Sequence, residues 1–139
     1  MTNYDKLMEY RNENNEFACF MGIRTIEIRK GYARGEMKIR PEFQNVVGSV
    51  HGGCFFTLAD TIGGAAAASY NTKMTTISSD FHFLSPGIGI EKLCAEAVEI
   101  KHGKTINVYD VSILNENGKL LAKGTFSYYN LGTPIMEDK

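Results

Sequence analysis

From Gly53 to Tyr70 the chain carries an almost uninterrupted apolar run, and this stretch restricts the fold more than any other. Read as a helix it is about 27 Å long at 1.5 Å per residue. Phe55, Phe56, Leu58, Ala59, Ile62 and Ala65 to Ala68 put apolar atoms on nearly every side of it. A helix of that kind cannot lie on a water-facing surface, so the rest of the chain has to wrap around it. It is too short and too rich in glycine for a membrane span, which needs about 20 apolar residues, so no membrane partner is expected.

Asp60 is the one residue in this run with a side chain that is charged in water at neutral pH. An unpaired carboxylate in an apolar helix is costly and calls for a purpose. Gly63 and Gly64 follow at the i+3 and i+4 positions, on the same side. Each glycine costs roughly 1 kcal/mol relative to alanine in a helix interior. In return the pair allows close approach of a ligand or another backbone beside the carboxylate. His51, Gly52 and Gly53 stand at the start of the helix, where free N–H groups and the helix dipole can hold an anion. Carboxylate, histidine and anion-binding helix end together make a layout for attack on a carbonyl.

The pattern Asn45-x-x-Gly48-x-x-His51-Gly52-Gly53 followed by Leu58-Ala59-Asp60 resembles the phenylacetate-degradation-type acyl-CoA thioesterases of the hotdog-fold superfamily. The resemblance continues through residues 80–87, Asp-Phe-His-Phe-Leu-Ser-Pro-Gly, and His102-Gly103-Lys104, and covers roughly residues 20 to 130. It implies an α+β hotdog fold, with an antiparallel sheet around a long central helix. It also implies an acyl-CoA substrate and a homodimer or homotetramer with sites at the subunit interface. By the same resemblance Asp60 is general base or nucleophile, and Gly52 gives its backbone N–H to the oxyanion. His51 belongs to the catalytic group, and Asn45 orients the carbonyl or the water. Gly53, Phe56, Thr76 and Ser78 fall on the substrate-binding side.

Composition narrows the alternatives. Fifteen basic and sixteen acidic residues give a net charge of −1, so no global field draws the protein to nucleic acid. Cys19, Cys54 and Cys94 lack metal-ligand spacing and are odd in number, so neither a zinc site nor a disulfide framework is indicated. Cys54 beside the motif reads as a small buried hydrophobe. No metal or redox cofactor is expected, and the charged N-terminus has no apolar signal region, which leaves the cytoplasm as the default compartment. The 139 residues, with 43% hydrophobic content, are read as one domain over 1–139 with its core at about 17–131.

Along the chain, residues 3 to 13 have helical spacing, with Thr2 or Asn3 as cap. Asn12 to Glu16 reads as a polar break, and Phe17 to Arg29 as extended up to a Lys30-Gly31 turn. Ala33 to Arg40 alternates as a half-buried strand that Pro41 stops. A loop from Glu42 to Val50 enters the central helix, which ends near Asn71. In Thr75 to Leu84 the alternation puts Ile77, Phe81 and Phe83 on one face and Thr76, Ser78, Asp80 and His82 on the other. Lys92 to Lys101, Thr105 to Leu114 and Leu120 to Asn130 follow as strands, with hairpins at His102-Gly103 and Asn117-Gly118. Lys101, His102 and Lys104 fit a solvated hairpin better than a phosphate site. The tail from Thr133 to Lys139 reads as loose.

Two other functions fit a chain of this kind. One is a dehydratase or hydratase on the same fold, whose catalytic motifs are not found in the sequence. The other is a non-catalytic acyl-CoA-binding domain, which as a regulator would need a DNA-binding helix-turn-helix that the short N-terminal helix cannot supply. The aromatic residues Phe55, Phe56, Tyr70, Phe81 and Phe83 fit an aromatic-acyl pocket and an ordinary core equally well.

Overall fold

The computed structural model describes residues 1–137. Helix α1 (Asn3–Asn14) opens with a capping box: Asp5 N–H donates to the Thr2 hydroxyl, and Thr2 N–H donates to the Asp5 carboxylate. Helix α2 (Glu16–Met21) follows after Asn15 alone. The segment expected to be extended from Phe17 is therefore helical as far as Met21. The Asn15 side chain accepts from Ala18 N–H to start the new helix, and Gly22, in the left-handed region, ends it.

Strands β1 (Ile23–Arg29) and β2 (Tyr32–Lys38) form a hairpin, and a 3-10 turn at Pro41–Phe43 leads toward the central helix α3 (Gly52–Ala67). A further 3-10 turn, Ala68–Tyr70, ends at Asn71, whose left-handed backbone redirects the chain into β3 (Thr72–Phe83). Strands β4 (Lys92–His102), β5 (Ile106–Asn115) and β6 (Leu120–Pro134) complete one antiparallel sheet in the order β1-β2-β4-β5-β6-β3. The tail expected to be loose continues β6 to Pro134. Asn71 then holds Met136 at both its N–H and its carbonyl. The last two residues of that expected tail lie outside the described residues.

Helix α3 lies across the concave side of the sheet. Leu58, Ala59, Ile62 and the Ala65–Ala67 run are completely buried against Met37, Leu93, Val111 and Ile113, which are equally buried. Small side chains at residues 65–67 let the helix settle close to the strands. The wrapping is nevertheless incomplete. Gly53, Phe56, Thr57, Asp60, Thr61 and Gly64 recur every three or four residues and stay partly or fully exposed, as one open stripe. A sheet covers one side of a helix, and α1 and β3 close only its flanks. The stripe therefore escapes burial although Phe56 lies on it.

Candidate active site

Asp60 stands in the middle of the open stripe. Its Oδ1 accepts a hydrogen bond from the Thr76 hydroxyl at 2.7 Å and a longer one from the Tyr128 hydroxyl at 3.3 Å. The one proton of the Tyr128 hydroxyl is shared between that oxygen and the Asp60 backbone carbonyl, the nearer acceptor at 3.0 Å. Oδ2 has no hydrogen-bond partner among the described residues. One oxygen is thus fixed by two donors, and the other is open for chemistry. Tyr128 is buried, and burial, reinforced by the Asp60 charge, pushes its phenol well above the usual range. It stays protonated and remains a donor.

The glycine pair admits two side chains. A Cβ at Gly63 would collide with the Tyr128 hydroxyl, and one at Gly64 would lie 3.5 Å from Nη2 of Arg11. The close approach expected of a ligand or a backbone is instead that of a phenol and a guanidinium. Arg11 reaches α3 from α1, where Nη2 donates to the Thr61 carbonyl at 3.1 Å. Its neighbour Asn12 sets the position of α1 by bonding both Thr25 N–H (2.8 Å) and Thr25 carbonyl (2.9 Å) on β1. Desolvation lowers the pKa of Arg11, while Tyr128 and Asp60 oppose that shift; a guanidinium stays charged regardless. Arg11, Phe17, Phe56, Asp60, Met74, Thr76 and Tyr128 are among the residues around a cavity of about 490 Å³.

Thr76 reaches Asp60 because the regular alternation of β3 is broken. The pairing of β3 with β6 shifts between Thr76 and Ser78, which gives a bulge at Ile77. The bulge reverses which side chains face inward. Thr76 on one side of it and Phe81 and Phe83 on the other all point toward α3, contrary to the two-face assignment read from the sequence. Phe56 packs on Phe81 and Phe126, with ring centroids 5.8 Å and 5.3 Å away. Ser78, beyond the bulge, is exposed and lies outside the Asp60 cavity.

At the start of α3, His51 is the N-cap: its Nδ1 accepts from Gly53 N–H at 2.8 Å, which leaves Nε2 to carry the ring proton of the neutral imidazole. The Gly53 N–H is thereby occupied. The Gly52 N–H has no acceptor among the described residues and is the free donor at this helix end. Asn45 accepts from Val47 and Ser49 N–H (both 3.0 Å) and donates to the Ser49 hydroxyl (2.9 Å), so its amide closes the preceding loop. Cys54 is buried and its thiol is pushed up by that burial, a thiol set for packing. A second cavity of about 610 Å³ adjoins His51, Gly53 and Cys54 under Phe17, Phe20 and Phe43. No cluster of three or more potential metal-ligating side chains occurs among the described residues.

Residues 47–122 match the thioesterase superfamily. The chain belongs to it. This thioesterase is 34% identical to the acyl-coenzyme A thioesterase PaaI of Escherichia coli over 123 residues, 88% of each chain. The solved structure of the E. coli PaaI protein from the phenylacetic acid degradation operon superposes with a TM-score of 0.89, covering 94% of this chain and 95% of that one at 30% identity. A Streptococcus mutans protein solved bound to acetyl CoA superposes at 0.78 with 27% identity, covering 83% of this chain and 93% of its own. The six-stranded antiparallel sheet around a central helix is the hotdog fold of these proteins.

Sequence reasoning missed Tyr128 and Arg11. The glycine pair was the signal of both, since it announced that something bulky approaches the helix. It did not say what.

Proposed function

We propose that this thioesterase hydrolyses acyl-CoA thioesters in a site completed by two copies of the chain. Gly52 of one copy holds the thioester carbonyl oxygen, and Asp60 of the other drives the attack. One observation carries this reading: the free Gly52 N–H and the free Oδ2 of Asp60 are eight residues apart on α3, about 12 Å along the helix axis. A carbonyl bound at the helix start is out of reach of the carboxylate on its own helix. Two α3 helices placed antiparallel by a two-fold axis bring the start of each against the middle of the other. The geometry of β3 supports that pairing. It is an edge strand of 12 residues with one side unpaired, an edge that soluble proteins do not leave open without reason.

In such a site the Gly52 N–H stabilises the negative charge that develops on the carbonyl oxygen. Oδ2 of Asp60 takes a proton from water as the water oxygen bonds to the carbonyl carbon, while Thr76 and Tyr128 hold Oδ1 still. Collapse of the tetrahedral intermediate breaks the C–S bond, and the proton passes from Asp60 to the departing thiolate. If Oδ2 attacks directly instead, the thiolate leaves and a mixed anhydride forms, and water that opens it at the Asp60 carboxyl carbon leaves heavy oxygen in Asp60 after a single turnover. With water attacking the thioester, Asp60 gains no label and the product acid carries it. His51 shapes the helix start, while Asn45 sets its approach loop. Gly53, Phe56 and Thr76 lie along the substrate path, and Ser78, beyond the bulge, takes no part in it. The reading places one hotdog domain over 1–139 in the cytoplasm, in keeping with three free cysteines and the lack, among the described residues, of a helix long and apolar enough to cross a membrane.

The test mixes two inactive variants. Gly52→Pro removes the N–H donor at the first helical position, where proline is tolerated, and Asp60→Asn removes the base. Refolded together they form mixed dimers with one intact site, and activity returns. Mixed dimers confirmed by mass but without activity would refute the shared site.

A further inference from the structure

We propose that Arg11 recognises an anionic end of the acyl chain, so that ω-carboxyacyl-CoA thioesters are the substrate class fitted to the cavity beside Asp60. The inference rests on the thioesterase reading and adds the chemistry of the acyl group to it.

Arg11 is a cation with too few partners. Of its five N–H donors, one on Nη2 meets the Thr61 carbonyl, and Nε is sealed from solvent with no acceptor. Among the described residues no carboxylate forms an ion pair with it. Asp60 shares the cavity, but its bonds go to Thr76 and Tyr128. Holding a half-buried guanidinium with one neutral acceptor is unfavourable, and the group that relieves it best is a carboxylate, whose two oxygens match the planar fork.

The position of the cation fits the far end of a substrate. Arg11 Nη2 lies against Gly64, one turn beyond Asp60 and about 6 Å further along the axis, away from the helix start. A chain whose carbonyl stands at Asp60 can follow the stripe and end at the guanidinium. An apolar chain end there would strip water from the cation and give nothing back, so the same residue selects against unsubstituted fatty acyl groups. The support is rigid: α1 is fixed at Thr2 by its capping box and at Asn12 by the paired bonds to Thr25.

Adipoyl-CoA and hexanoyl-CoA have acyl chains of equal carbon number and differ only at the distal end. The wild-type protein is expected to favour adipoyl-CoA in kcat/KM by about tenfold or more, as a charge-assisted bidentate contact allows. Arg11→Met keeps the length and apolar stem and should abolish that preference, whereas Arg11→Lys should keep part of it. Loss of turnover by the same factor for both thioesters would overturn the inference, since Arg11 would then act on Asp60 or on the fold. If wild type cleaves hexanoyl-CoA as well as it cleaves adipoyl-CoA, the inference fails and the thioesterase reading stands. If no acyl-CoA is cleaved, that reading fails. Equilibrium binding of the two thioesters to Asp60→Asn, with and without Arg11→Met, then decides the role of Arg11 without turnover. A preference for adipoyl-CoA that Arg11→Met removes supports the role, and equal affinities refute it.

Discussion

Replacing Asp60 by Asn separates chemistry from architecture, because the two oxygens of the carboxylate have different work. Oδ1 accepts from Thr76 at 2.7 Å and from Tyr128 at 3.3 Å, and an amide oxygen can take both bonds. The donors also fix the orientation of the amide, since an NH2 group turned toward two hydroxyl donors would be repelled. The new NH2 then occupies the place of Oδ2, which has no protein partner among the described residues and faces the cavity. Bonds to a neutral acceptor are weaker than bonds to a charged one by about 1 kcal/mol each, and relief from holding a partly buried charge offsets part of that. Net stability should change by no more than about 1–2 kcal/mol. Turnover should fall about 10²- to 10⁴-fold, the share of a positioned acid–base group, equivalent to roughly 3–5 kcal/mol of barrier. The assay is thiol release under saturating acyl-CoA, with urea denaturation of the same preparation. Turnover within a fewfold of wild type would refute the role given to Asp60; so would a loss of activity that only follows loss of fold.

Further outcomes follow from the same geometry. Gly52→Pro should lower kcat about 10²- to 10³-fold, with circular dichroism showing α3 intact, because it removes one oxyanion donor at the first helical position, where the added Cβ needs only a small shift of the exposed Phe83 ring 3.1 Å away. Tyr128→Phe should cost about 1–2 kcal/mol of stability and lower kcat more than it raises KM, since the lost hydroxyl holds the Asp60 carboxylate in place. Gly63→Ala and Gly64→Ala should differ in sign by thermal denaturation. The first displaces the Tyr128 hydroxyl and destabilises, while the second meets Nη2 of Arg11 at an ordinary contact distance of 3.5 Å and gains up to about 1 kcal/mol of helix propensity. The phenol of Tyr70 is pushed up to about 12 by burial and by its bond to Glu99. A phenol that keeps its proton in the fold contributes stability in full below its unfolded pKa of about 10 and loses it as pH rises toward 12. Denaturation at about pH 9 and about pH 11 should show a shallower decline for Tyr70→Phe than for wild type.

The helix from Gly52 to Ala67, the hairpins at Gly103 and Gly118 and the six strands were legible in the sequence, because each depends on periodicity and turn chemistry within a few residues. Asp60 stood out because a carboxylate conflicts with an apolar run, whereas Gly52 was singled out by its match to the family motif at the helix start. Even the short helix α2 had local signals, in the Asn15 cap and the Gly22 stop, which the apolar run between them concealed. Other features depended on distant parts of the chain. The bulge at Ile77 arises from the pairing of β3 with β6, and one extra residue turns Thr76 toward Asp60. Tyr128 stands 68 residues from the carboxylate it orients, and the Arg11 guanidinium 50 from the carbonyl that anchors it. Side-chain periodicity says which way a residue points on its own element; it does not say what stands opposite. The glycine pair at Gly63 and Gly64 recorded that two groups come close to α3, and only the packing of α1 and β6 against that helix decided that they are a guanidinium and a phenol.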